Sequence, residues 1–116
     1  MEIEINEDFI NWNDYICKER ANKYCASVVK KKEAQIVAQH CSNIKYKGKY
    51  PIKITFLKYF NSKRQDLDNT RVKGIIDGLV KCGVIENDNL TKIQEIKYLP
   101  IFTKEKIGLK LIIEEL

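Results

Sequence analysis

The chain has 116 residues, 44% of them hydrophobic, and its 21 basic against 16 acidic residues give a formal net charge of +5. That length is too short to divide into two cores, so a single domain over residues 1–116 is expected, and the basic balance favours an anionic partner, nucleic acid or an anionic surface. A single histidine excludes HxxxH metal helices and leaves little room for a His-based triad, and no apolar run approaches the ~20 residues of a membrane helix.

Met1 to Asn6 alternates apolar and polar residues and reads as a short strand. Its acidic character is the opposite of a basic export leader, so the chain is expected to be cytoplasmic, without membrane attachment. A long helix is predicted from about Asn13 to Cys41, with Asn13 or Asp14 as N-cap and Cys25, Val29, Ile36 and His40 near one face. The other side carries Lys18, Arg20, Lys23, Lys30, Lys31 and Lys32. Asn43 to Tyr50 reads as a loop around Gly48. Pro51 then opens a β-branched and aromatic strand from Ile52 to Tyr59.

Val72, Ile75, Ile76, Leu79 and Val80 form one apolar stripe of a second helix, capped by Asp68 or Asn69 and ended by Gly83. After the loop Glu86-Asn87-Asp88-Asn89 come strands at about Lys92 to Leu99 and Leu109 to Glu114, joined by a polar turn through Thr103 to Gly108. The order β-α-β-α-β-β describes an α+β domain, a small mixed sheet with two helices packed on it. Cys17, Cys25, Cys41 and Cys82 show no CxxC spacing and read as reduced, mostly buried thiols.

The chemistry concentrates around the second helix. Asp66 and Asp68 stand two apart in an extended segment before it, and Asp88 follows it in a loop. Three converging carboxylates would make a hard-oxygen site suited to Mg²⁺ or Mn²⁺, and without a cation they would repel one another. The plainer reading is that Asp66 and Asp68 cap a helix and Asp88 decorates a turn. Lys63 and Arg64 precede the acidic pair, and Arg71 and Lys73 follow it, the charge pattern that phosphodiester cleavage needs. Lys73 could aim at the metal site, or form an i, i+4 surface ion pair with Asp77.

Lys63-Arg64-Gln65-Asp66-Leu67-Asp68-Asn69, Lys73-Gly74-Ile75-Ile76-Asp77-Gly78-Leu79 and Cys82-Gly83-Val84-Ile85-Glu86-Asn87-Asp88 together resemble the core of the RusA family of Holliday junction resolvases. Asn13-Asp14-Tyr15-Ile16, with Arg20, Asn22 and Lys31 beyond it, is similar to the start of phage-type members. The resemblance runs over most of the chain, and its specific part is Asp66 to Asp88. It implies a RusA-like α+β homodimer with two active sites, Mg²⁺ dependence, and paired nicks across a four-way DNA junction in recombination and repair. Carried over by position, the metal ligands fall on Asp66, Asp68 and Asp88 and the essential lysine on Lys73.

Two departures stand out. Lys73 follows Asp68 by five residues, one more than in the best-known member, which turns its direction by about 100°. Asn87 stands where the usual acidic pair has its first member, still offering an oxygen to a metal or its water. Lys31, Lys32 and the loop Lys45-Tyr46-Lys47-Gly48-Lys49-Tyr50 are expected to hold DNA backbone, with Asn69, Asp77 and Asn87 in supporting positions. Two other functions fit the same residues: a non-catalytic nucleic-acid-binding module, and a metal-dependent nuclease acting on another DNA or RNA structure.

Overall fold

The computed structural model of the chain describes residues 1–8, 20–21, 23–63 and 72–116. Its elements, in chain order, are β1 (Glu2–Ile5), α1 (Lys23–Cys41), β2 (Ile52–Phe60), α2 (Val72–Lys81), β3 (Ile93–Phe102) and β4 (Leu109–Glu115). The predicted α+β class and element order are observed. The sheet has the order β1-β4-β2-β3; β2 and β3 run parallel, while both other pairings are antiparallel. Parallel neighbours cannot be joined by a hairpin, and α2 lies in the connection between them.

Alternation along the strands divides the sheet into two faces. Ile3, Leu111, Phe56 and Tyr98 stand side by side across all four strands. The first three of these are buried, together with Ile5, Ile52, Ile54, Leu109 and Ile113. With Ile36, Val37, Cys41, Ile75, Ile76 and Leu79 from the helices they form one core. The opposite face carries the rows Glu2–Ile112–Thr55–Lys97 and Glu4–Lys110–Leu57–Leu99. No described helix covers this face, and Leu99 is 47% exposed.

α1 ends where expected, at Cys41, with Asn43 in the left-handed region at φ 64°. Its predicted start, from Asn13, lies outside the described residues. Its buried face differs from the expected one. Ala26, Glu33, Ile36, Val37 and Cys41 are buried, whereas Cys25, Val29 and His40 are only half-buried. The contact with α2 explains the rotation. A Cβ at Gly74 would stand 2.6 Å from the Glu33 carboxylate, and one at Gly78 would stand 2.9 Å from Val37. Two bare positions one turn apart therefore let α1 approach closely along the stripe through Glu33 and Val37.

α2 follows its apolar stripe, with Ile75, Ile76 and Leu79 buried between the two glycines' face and the core. It closes on a Schellman motif: Val84 N–H donates to Leu79 O at 2.9 Å, Gly83 N–H donates to Val80 O at 3.1 Å, and Gly83 has φ 82°. β3 runs to Phe102, past the expected end at Leu99 and through Pro100. An edge strand tolerates this proline, because no neighbour needs the missing N–H.

Candidate active site

Arg64, Asp66, Asp68, Asn69 and Arg71, the centre of the predicted site, lie outside the described residues. Its flanks are described. Lys63 sits in the turn after β2, exposed, with Nζ 5.7 Å from the centre of the Phe102 ring. Lys73 occupies the first turn of α2 and is exposed, while Asp77, one turn further on, is half-buried. The i, i+4 ion pair between them does not form, and Lys73 has no ion-pair partner among the described residues.

Asn87 and Asp88 lie in the exposed loop between α2 and β3. Asp88 N–H donates to Asn87 Oδ1 at 2.7 Å, so the carboxamide oxygen is engaged by the backbone of its neighbour. The Asp88 carboxylate makes no ion pair among the described residues. It is a hard oxygen donor open to solvent, of a chemistry that suits a divalent cation. Among the described residues no three His, Cys, Asp or Glu side chains converge.

Position along the elements separates these groups. The ten residues of α2 rise about 15 Å, with Lys73 at the amino end and Asp88 beyond the carboxyl end. Lys63 follows β2 and Asp88 precedes the parallel β3, so the two are separated by the length of the strand pair, about 30 Å.

Beside Asp88 the structure brings in residues from forty positions earlier in the chain. Tyr46 N–H donates to Val84 O at 2.8 Å, and Glu86 N–H donates to the Tyr50 hydroxyl at 3.1 Å. The rings of Tyr46 and Tyr50 meet edge to face at 5.5 Å. Lys92 Nζ lies 4.7 Å from the centre of the Tyr50 ring and 2.9 Å from Glu86 Oε2. The Tyr46 hydroxyl donates to Lys49 O at 2.9 Å; burial, then Glu115 and Tyr50, holds its pKa above the ordinary value. Lys45, Lys47 and Lys49 are left exposed on this braced loop. Lys31 and Lys32 are exposed on α1.

Two buried polar groups escaped the reading of the sequence. Glu33 is 2% exposed although it directly follows three lysines, Lys30 to Lys32. Its signal was spacing: Glu33, Val37 and Cys41 repeat every four residues, as do Gly74 and Gly78 in the partner helix. Tyr59, 7% exposed, donates its hydroxyl to Glu4 Oε1 at 2.7 Å. Burial, and next the Glu4 carboxylate, push that phenol up to about 12. The register across three strands that joins them cannot be read locally.

No protein-family model matches the chain, and no curated protein matches it at significant similarity. Among the described residues no helix is long and apolar enough to cross a membrane.

Proposed function

We infer that the protein is a metal-dependent endonuclease acting on branched DNA, in the manner that its resemblance to RusA-family resolvases implies. The observation that carries this reading is the placement of Asp66-Leu67-Asp68-Asn69 directly ahead of a helix whose first turn presents Lys73, exposed and without an ion-pair partner among the described residues. Asp66, Asp68 and Asp88 would hold Mg²⁺, or Mn²⁺ in its place. An ion bound there would supply Lewis-acid chemistry, lowering the pKa of a water and drawing charge from the scissile phosphodiester.

The chain's own residues do the rest. Lys73 stabilises negative charge that develops on the phosphate, a role that requires a lysine not already neutralised by Asp77. Lys63, Arg64, Arg71, Lys31 and Lys32 contact the DNA backbone, joined by Lys45, Lys47 and Lys49 on the braced loop beside Asp88. Two such sites acting together need a dimer, and the uncovered sheet face around Leu57, Leu99 and Ile112 is the surface proposed for it.

A nucleic-acid-binding module without catalysis is the second reading. It is favoured by the position of Asp88, at the far end of α2 from Lys73. Incubation with a synthetic four-way junction in Mg²⁺, in EDTA, and beside a linear duplex separates the two. Junction cleavage that EDTA stops supports the enzyme, and binding without cleavage supports the module.

A further inference from the structure

The close approach of α1 and α2 has a fixed register. Glu33 meets Gly74 and Val37 meets Gly78, so the helices run parallel and each contact pairs a residue with one forty-one positions later. One turn on, the same register pairs Cys41 with Cys82. The helical path reaches that far: Cys41 is the last residue of α1, and Cys82 N–H donates to Gly78 O at 3.0 Å, the i to i−4 bond of an α-helix. Glycine at two successive contacts, where a Cβ would already clash with Glu33 and Val37, permits an approach closer than the 8–10 Å of ordinary packing. A disulfide needs such closeness, since its Cα atoms stand about 4.4–6.8 Å apart.

We propose that Cys41 and Cys82 form an oxidisable dithiol, converted by a peroxide into an intramolecular disulfide that fastens the carboxyl ends of α1 and α2. Both are free thiols in this structure, Cys41 fully buried and Cys82 half-buried. The Cys41 thiol is pushed up to about 11, by burial first and then by Cys82, and Cys82 packs against the same core cluster that holds Cys41. Cys82, the more accessible, meets the oxidant: its thiolate attacks a peroxide oxygen, the O–O bond breaks, and sulfenic acid and an alcohol or water result. The Cys41 sulfur then attacks the Cys82 sulfur, the S–O bond breaks, and water leaves with the thiol proton. Cys25 cannot substitute for Cys41, because it lies about 24 Å away along α1.

The bond would tie the roots of two functional-looking loops. The chain past Cys41 leads into Lys45 to Tyr50, and the chain past Cys82 leads into Glu86 to Asp88, where Tyr46 N–H already donates to Val84 O. Formation of the bond does not depend on the nuclease reading.

The test treats the full chain with hydrogen peroxide, blocks the remaining thiols by alkylation, and maps tryptic peptides without reduction. The expected product joins the peptide Glu33 to Lys45 with the peptide Cys82 to Lys92, two hydrogens lighter than the separate pair. Cys82→Ser should abolish it and Cys25→Ser should leave it intact. The oxidised protein should melt higher by on the order of 10 °C, as expected for closing a loop of roughly forty residues. Recovery of both peptides separately alkylated after oxidation of another thiol, or a bridge from Cys82 to Cys25, would overturn the proposal. Loss of the product in Cys25→Ser would do the same.

Discussion

Glu33 of α1 lies with its carboxylate against Gly74 of α2: a Cβ on that glycine would stand 2.6 Å from Oε2 and 2.7 Å from both Cδ and Oε1. A buried acid thus occupies the space that a side chain would fill, in the first turn of a helix with no acidic residue of its own there. The amino end of a helix favours negative charge nearby.

This contact makes the two glycines of α2 sensitive to the smallest enlargement. Alanine is the better helix former by about 1 kcal/mol. In Gly78→Ala the new methyl group would meet Val37 at 2.9 Å, in a core where overpacking costs about 1–3 kcal/mol. We expect Gly74→Ala and Gly78→Ala both to lower stability in urea denaturation, Gly78→Ala the more. An increase in the denaturation midpoint for Gly78→Ala would show that the helices do not touch there.

Alkaline pH should weaken the fold. Cys41 and Tyr59 have pKa values raised to about 11 and about 12, above the ordinary 9.0 and 10.0. Both are neutral when protonated, so folding favours the protonated form. Their stabilisation is complete below the unfolded values and is lost as pH rises through the folded ones. Unfolding free energy should therefore stay level on this account to about pH 9 and fall between 9 and 12. Tyr59→Phe should flatten the upper part of that decline; an unchanged profile would contradict the burial of the phenol beside Glu4.

The braced loop beside Asp88 should contribute to DNA affinity without contributing to chemistry. Replacing Lys45, Lys47 and Lys49 together with Gln should weaken junction binding and reduce its salt dependence by up to about three units of slope. The Lys31 and Lys32 double replacement should reduce it by up to about two. Filter binding across salt concentrations measures both, and a slope unchanged in the triple variant would remove the loop from the interface.

Lys73→Ala should slow junction cleavage by about a hundredfold or more while changing affinity little, since a cation aimed at developing charge acts in the transition state. If instead affinity fell and the single-turnover rate held, Lys73 would be a backbone contact only. The uncovered sheet face offers a parallel check on assembly. Leu99→Glu places charge on its β3 edge and should raise the dissociation constant of the proposed dimer at least about tenfold in sedimentation.

The architecture was legible where periodicity is local. Ile75, Ile76 and Leu79 announce α2, Gly83 announces its end, and β-branched and aromatic content announces β2. The orientation of α1 was not legible, because Glu33 breaks the apolar repeat and only the glycines of another helix explain its burial. The extension of β3 through Pro100 to Phe102 was not legible, since a proline is admissible in a strand only once that strand is known to lie at an edge. For the site, sequence supplied the residue types and their spacing around α2. It could not show that Tyr50 reaches back to Glu86, nor that Lys73 stands apart from Asp77.

Cleavage of a synthetic four-way junction by wild type and Asp66→Asn, compared in Mg²⁺, tests the central claim most directly. We expect wild type to introduce paired nicks in opposing strands that EDTA prevents, and Asp66→Asn to bind the junction as well or better yet leave it intact. Wild type that binds the junction but leaves it whole in Mg²⁺ and Mn²⁺ across pH 7 to 9 would contradict the enzyme and leave the binding module standing.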